Sequence, residues 1–405
     1  METVIIGGGI AGLTVAHALA KQHQPVVVLE RYPNFGGRIV TYRENKLQYE
    51  IGAGRIFKHH ERVNALVKRY GLHTFPISAA SYYKSEPNPF LDLFVPIAAE
   101  LAKLPQSTLE SHTIKELIPK ELHPILTMYP YAAEVDLLRA DIALPLFQKG
   151  QTMGTSSADD YYGVAEGLDA IIANLKAEAE KAGAILLGRH RVHDIKRLDN
   201  TLFEIQGDKG KKAEALPFTY TAKKVIIATC RCSLGSFSVL KHAPLLKQLS
   251  TSPLVRIYAT YPKIKGKVWF EDLPKIVTDT KLRYVIPINP KKGLIMISYT
   301  DGKDTDFWRA LPEKDVKKEV IKATAETFPD LHIPEPTLVN SHVWDSGCTY
   351  WTPGHYDLSK AIKEAMNPAE NLYVVGESIS KQQAWIEGAL ESAETLIKLL
   401  LHNKK

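Results

Sequence analysis

Thr3-Val-Ile-Ile-Gly-Gly-Gly-Ile-Ala-Gly12, followed by Val26-Val-Val-Leu-Glu30, decides how this chain folds. The apolar run Val4 to Ile6 drops directly into Gly7-x-Gly9-x-x-Gly12. Small residues from Ala11 to Ala20 follow, and a second apolar run ends on an acid. This reads as strand, glycine turn, helix, strand, acid, the context that gives a lone G-x-G-x-x-G its meaning. Gly7 permits a tight turn, Gly9 lets a pyrophosphate approach the backbone, and Gly12 lets helix and strand pack closely. The first helical residues, Ile10 and Ala11, offer unpaired N–H groups and the positive end of the helix dipole to phosphate. Glu30 is placed to accept hydrogen bonds from a ribose diol, which favours an adenosine without a 2′-phosphate.

Six residues beyond Glu30, in Arg31-Tyr-Pro-Asn-Phe-Gly-Gly-Arg-Ile, comes a second glycine pair, Gly36-Gly37, with Arg38 attached. A planar guanidinium beside close-approach glycines suits a second contact to the same diphosphate. Fingerprint, terminal acid and Gly-Gly-Arg together resemble the FAD-dependent amine oxidase superfamily, which includes monoamine, polyamine and L-amino-acid oxidases. The resemblance implies an α/β fold: a Rossmann-type FAD-binding domain interleaved with a sheet-plus-helix substrate domain. It implies FAD as cofactor, with Arg31, Gly37 and Arg38 joining Gly7, Gly9, Ile10, Ala11, Gly12 and Glu30 around its ADP half.

Composition sets outer limits. The chain has 405 residues, enough for two domains, with 45% hydrophobic and 24% charged residues and a net charge of +6. Its lysines are scattered, so no nucleic-acid footprint is expected. Three cysteines make no disulfide framework, and Cys230-x-Cys232 lacks the spacing of a redox or zinc pair, so no metal is expected. The first strand starts too early for a cleavable signal peptide, and no stretch of eighteen apolar residues occurs. The expectation is a cytoplasmic protein off the membrane, for which a homodimer would fit.

Along the chain, Gly52-Ala53-Gly54 again marks close backbone approach, by the resemblance to a flavin's ribityl chain or ring, and Arg55 follows directly. L-amino-acid oxidases carry an arginine here that clamps the substrate carboxylate, so the resemblance makes Arg55 a carboxylate clamp. A structural arginine is the alternative. A helix is expected over residues 58–72, then a largely helical insertion through residues 76–159. Ser156 to Asp160 is expected as a polar loop, and a helix from Tyr162 to Lys181. Val192, on a strand over residues 191–195, takes the family's adenine position. Strands are expected at 255–261, 267–270, 282–288 and 294–300. Arg256 stands where the family usually has a lysine facing flavin N5; Lys263 is the alternative register. An amphipathic helix is expected over residues 315–328.

The closing block is Asn371-Leu-Tyr-Val-Val-Gly-Glu377 and then Trp385-Ile-Glu-Gly-Ala-Leu. By resemblance, Gly376 and Glu377 meet the ribityl chain. The helix carrying Ile386 and Ala389 points its N-terminus at the flavin's pyrimidine edge. Trp385 and Tyr350 would form two walls of an aromatic cage, with Thr349 as the register alternative to Tyr350. Cys348 falls where monoamine oxidases attach the flavin through a thioether, although noncovalent FAD is the simpler expectation.

The FAD domain is expected at 1–75, 160–250 and 340–405, and the substrate domain at 76–159 and 251–339. The activity implied is hydride removal from a C–N carbon of an amine, with Arg55 pointing to an L-amino acid, and O2 reduced to H2O2. Arg55, Arg256, Tyr350 and Trp385 would line the reacting end. The alternatives are a mono- or polyamine oxidase without carboxylate recognition, a desaturase or protoporphyrinogen-type oxidase, and a non-catalytic flavoprotein scaffold.

Overall fold

The computed structural model describes residues 1–147 and 161–402. The elements that matter here begin with β1 (Thr3–Ile6), α1 (Ile10–Lys21), β2 (Val26–Leu29) and α2 (Glu61–Arg69). Next come β3 (Tyr161–Val164), α3 (Asp169–Lys181), β4 (Ile185–Leu187), β5 (Lys224–Ile227) and β6 (Leu249–Thr260). They end with β7 (Tyr284–Asn289), β8 (Leu294–Asp301), β9 (Leu338–Trp351), β10 (Leu372–Val374) and α4 (Ile386–His402).

Five strands form a parallel sheet in the order β4-β2-β1-β5-β10. All four residues of β1 and of β2 are buried, and all but Thr3 are apolar, as a strand covered on both faces requires. Each buried Val or Ile there contributes about 1.5–3 kcal/mol. Helix α1 lies against the sheet and packs on α3 and α4. Strand order reverses at β1, and ligands of such sheets bind in the crevice beyond the strand ends at that reversal.

The second layer is a seven-stranded sheet, β9-β6-β8-β7 followed by Ile276–Val277, Tyr82–Tyr83 and Glu86–Pro87. Its long strands β9 and β6 pair antiparallel along nearly their whole length. The boundary expected at residue 340 falls inside β9, which pairs with β6 from Leu338 onward.

Several local expectations differ from the structure. Tyr161-Tyr-Gly-Val is strand β3, held by Ile56–Phe57 and Thr74–Ile77, and the helix starts only at Asp169. Residues 267–270 form no strand: Lys267 only bridges Ile264 across a tight turn. The chain reverses at Lys265 and Gly266, both with positive φ (51° and 83°), and Val268 and Phe270 bury inward from a compact turn. Within the largely helical insertion, the helical piece expected over Glu134–Leu144 breaks into Ala132–Asp136 and Ala140–Ala143. Cys230 and Cys232 are joined as a disulfide, contrary to the reading of their spacing. A helical turn opening at Arg231 brings their Cα atoms to 5.4 Å, within bridging range. The polar loop expected at Ser156–Asp160 lies outside the described residues. Among the described residues no helix is long and apolar enough to cross a membrane.

Candidate active site

One cavity of about 1010 Å³ runs from the ends of the parallel strands to the face of the large sheet. Ile6, Leu29, Ala228 and Gly376, at or just past the ends of β1, β2, β5 and β10, line its first part. This is the crevice at the strand-order reversal.

The glycine turn is shaped by close contacts. Gly7 has φ +110°, and a Cβ there would meet the Ala228 carbonyl oxygen at 2.5 Å. A Cβ on Gly12 would lie 2.1 Å from the Gly7 oxygen, so Gly12 packs behind the turn while Gly7, Gly9, Ile10 and Ala11 face the cavity. Helix α1 begins after Gly9 with no side-chain cap, which leaves its first N–H groups to the cavity. Glu30 is buried at the same rim. It accepts from the Gly8 N–H at 2.7 Å and the Tyr32 N–H at 2.9 Å, and so fixes the turn against the end of β2. Arg31, Gly37 and Arg38 border the same space, as does Val192, where a bulge interrupts the strand His190–Arg197.

Toward the middle, Gly52, Ala53 and Gly54 run beside Gly376, Glu377, Ile386 and Ala389. A Cβ on Gly52 would stand 2.0 Å from the Arg38 oxygen, and the Ala53 N–H donates to that oxygen at 2.9 Å. Trp344 braces the segment by donating to the Ile51 carbonyl at 2.6 Å. Arg38 and Glu377, expected at separate points on the cofactor, pair with each other at 2.7 Å. Glu377 also accepts from the Ala384 N–H at 3.0 Å, which holds the turn leading into Trp385.

The far end is built by side chains from many elements. Arg55, Arg256, Tyr350 and Trp385 all reach it. The Arg55 guanidinium sits in an aromatic box, 4.6 Å from the Tyr161 ring centre, 5.3 Å from Tyr131 and 5.7 Å from Trp385. It donates to the Tyr131 hydroxyl at 2.6 Å. Burial works against its charge, but the surrounding phenols, Tyr131 first, outweigh that and hold its pKa above the ordinary arginine value. Tyr161 lies parallel to Trp385, with centroids 6.4 Å apart and planes 9° apart, and His60 meets Trp385 edge-on at 4.7 Å. Arg256 donates to the Glu50 carbonyl at 3.1 Å and crosses the Tyr299 ring at 5.3 Å.

Sequence reasoning missed Tyr131, Glu134, Tyr299, Asp301, His342 and Trp344, which line the cavity as well. Tyr299 and Asp301 are alternate residues of β8, and His342 and Trp344 alternate residues of β9. Period-two spacing on a strand was the available signal. Glu134, on a five-residue helix, carries no motif. Burial pushes Glu134 up to about 7 and Asp301 up to about 8, and pushes the neutral His342 down to about 4.

The residues fit a flavin dinucleotide. An uncapped helix start and glycine cradle face one end. Along the cavity, buried Thr229 Oγ1, Ser346 Oγ and Arg256 Nε have no hydrogen-bond partner among the described residues. Such orphaned groups cost about 1–3 kcal/mol each unless a ligand satisfies them.

Comparison with known proteins points the same way. Residues 128–395 match the family model described as flavin containing amine oxidoreductase, and residues 5–70 match an NAD(P)-binding Rossmann-like domain. The chain is similar to L-amino acid oxidase Cdc18 of Crotalus durissus cumanensis, 25% identical over 97% of this chain and 89% of that protein. It is similar as well to an L-amino-acid oxidase of Crotalus adamanteus, 23% identical over 97% and 86%. In fold it resembles a redesigned putrescine oxidase, with a TM-score of 0.75 at 16% identity, covering 99% of each chain.

Proposed function

The chain belongs to the flavin-containing amine oxidoreductases, and on that premise we propose that it is an FAD-dependent oxidase of an L-amino acid. The observation that carries the amino-acid reading is Arg55, a half-buried cation lining the cavity's far end, boxed by Tyr131, Tyr161 and Trp385. A guanidinium fixed in that way is suited to a carboxylate, which it can bind through two N–H groups. The similarity to two Crotalus L-amino-acid oxidases supports the same reading.

In this proposal Gly7, Gly9, Ile10, Ala11, Glu30, Arg31, Gly37, Arg38 and Val192 hold the ADP half of FAD, with Gly12 packing behind them. Gly52 to Gly54, Gly376, Glu377, Ile386 and Ala389 hold the ribityl chain and flavin. Bound FAD supplies the hydride acceptor and passes the electrons to O2, giving H2O2. Arg55 fixes the substrate carboxylate. Tyr350 and Trp385 wall the reacting carbon and keep water from it, so that the amine is held neutral, the form that can lose hydride. Arg256 keeps a fixed positive charge beside the Gly52–Gly54 segment, where a Cβ on Gly54 would be 3.2 Å from its Nη1. The flavin is held without a covalent bond, because burial pushes the Cys348 thiol up to about 12 and leaves little thiolate to react.

The test is peroxide release by the yellow, purified protein on a panel of L-amino acids, their D-isomers and the matching amines. Turnover confined to L-amino acids is expected. Equal turnover of the matching amines would end the carboxylate reading in favour of a simple amine oxidase.

A further inference from the structure

Arg55 is not the only ionisable group at the reacting end. Glu134 and Asp301 line the same compartment and are buried, 6% and 5% exposed. Glu134 sits on the short helix Ala132–Asp136, and Tyr129 donates its hydroxyl to Oε2. Its Oε1 has no partner among the described residues. Asp301 ends β8 and accepts the first N–H groups of that helix, Ala132 at 3.0 Å and Ala133 at 3.3 Å. Each of its oxygens retains a lone pair after this. Asp301 therefore braces the helix that carries Glu134 and adds a second carboxylate to the same wall.

Two buried carboxylates are expensive unless a cation meets them. Neither is within ion-pair distance of Arg55 or Arg256; Arg55 acts on Glu134 only through space. The reacting amine is a poor candidate for that cation. It must be neutral to lose hydride, and two carboxylates beside it would hold it protonated. They suit a positive charge that takes no part in the reaction.

Resting on the amino-acid reading above, we infer that the substrate is an L-amino acid with a cationic side chain, received by Glu134 with Asp301 beside it. The compartment then mirrors its ligand. Arg55 takes the α-carboxylate, the flavin side of the cavity takes the neutral α-amine, and Glu134 takes the distal ammonium or guanidinium. Burial holds both acids partly protonated near neutral pH, so binding of the cation displaces those protons into solvent.

The test compares lysine with norleucine, which is lysine without its terminal ammonium, on the flavin-loaded protein. The expected kcat/KM ratio favours lysine by about 100-fold or more, as for a site whose buried polar groups are left unpaired by the analogue. Glu134→Gln should lower that ratio by about 10-fold or more, because lysine loses more than norleucine. Comparable turnover of the two substrates by the unaltered protein overturns the inference, and this arm needs no variant to fold. Equal losses on both in Glu134→Gln also overturn it, since Glu134 would then serve the reacting amine. Cadaverine, which is lysine without its carboxylate, separates the two readings. If it matches lysine and remains sensitive to Glu134→Gln, the second-cation site stands and the amino-acid reading fails. If neither lysine nor norleucine perturbs the flavin absorbance or is oxidised, both fail.

Discussion

The two ends of the cavity are built by opposite means. At the nucleotide end the ligand would be held by backbone: Gly7, Gly9 and Gly37, the uncapped start of α1, and one buried acid that spends two hydrogen bonds on the loop itself. At the substrate end it would be held by side chains. Arg55, Tyr131, Glu134, Arg256, Tyr299, Asp301, Tyr350 and Trp385 reach it from separate parts of the chain. Backbone recognition, here joined by the charges of Arg31 and Arg38, leaves little room for added atoms. Side-chain recognition can be retuned residue by residue, and its cost is buried charge. The first end therefore fixes which cofactor is used, and the second decides which amine meets it.

The largest effect should come from disturbing the backbone end. In Gly12→Val the new Cβ alone would lie 2.1 Å from the Gly7 oxygen, a contact that only movement of α1 away from β1 can relieve. The expected protein is colourless, measured as flavin absorbance per protein after purification. A Gly12→Val protein that stays fully yellow would break the comparison, because the nucleotide end would then tolerate bulk.

At the other end the same experiment gives a graded answer. Arg55→Ala removes a charged contact without adding atoms, so the flavin should remain bound. Turnover of L-amino acids should fall by roughly 10²–10³-fold, as when one partner of a buried charged pair is removed. Amines lacking a carboxylate should lose far less. A uniform loss on amines and amino acids, read from peroxide release, would make Arg55 a structural residue of the aromatic box.

The same contrast explains what could be read from sequence. A glycine turn, an acid closing a strand and a small-residue helix are local requirements, so residues 3–12, 26–30 and 371–389 carry them in contiguous stretches. Buried parallel strands are equally legible, because β1, β2, β5 and β10 need apolar residues on both faces. The substrate end has no such signature. Glu134 and Asp301 meet only because Asp301 ends a strand of the large sheet against the start of the helix Ala132–Asp136. Tyr161 fell between an expected loop and a helix expected from Tyr162, yet as part of β3 it becomes the ring parallel to Trp385. The pairing of Arg38 with Glu377, 339 residues apart, was equally invisible, although both residues were expected at the cofactor.

A smaller effect separates the ends by pH. Burial raises Asp301 to about 8 and Glu134 to about 7, above their unfolded values of about 3.9 and 4.3. The folded chain keeps protons that the unfolded chain releases. Stability of the flavin-free protein therefore falls as pH rises through that window, by up to about 1.4 kcal/mol per pH unit for each group. His60 acts in the opposite sense at lower pH. Burial pushes it down to about 4, so below about 6.5 the unfolded chain binds a proton that the folded chain refuses. Between pH 7 and 8 Asp301 should carry most of the remaining slope. Asp301→Asn should lower Tm overall, since one helix N–H loses its acceptor, yet flatten the dependence of Tm on pH across that interval. An unchanged slope would mean that Asp301 is already ionised in the folded chain.

The smallest expected effect is at Cys348, on the same wall as Tyr350 but asked by neither end to do chemistry. Its half-buried thiol is pushed up to about 12 by burial, which disfavours the thiolate that would attack a flavin. Acid precipitation of the yellow protein should leave all flavin in the supernatant, and Cys348→Ala should alter neither that result nor the flavin content. The side chain is small and apolar in its setting, so its loss should cost no more than a shallow cavity does. Flavin that stays with the precipitate, and leaves it in Cys348→Ala, would show the two ends joined by a bond. The substrate end would then help to retain the cofactor, a task assigned here to the backbone end alone.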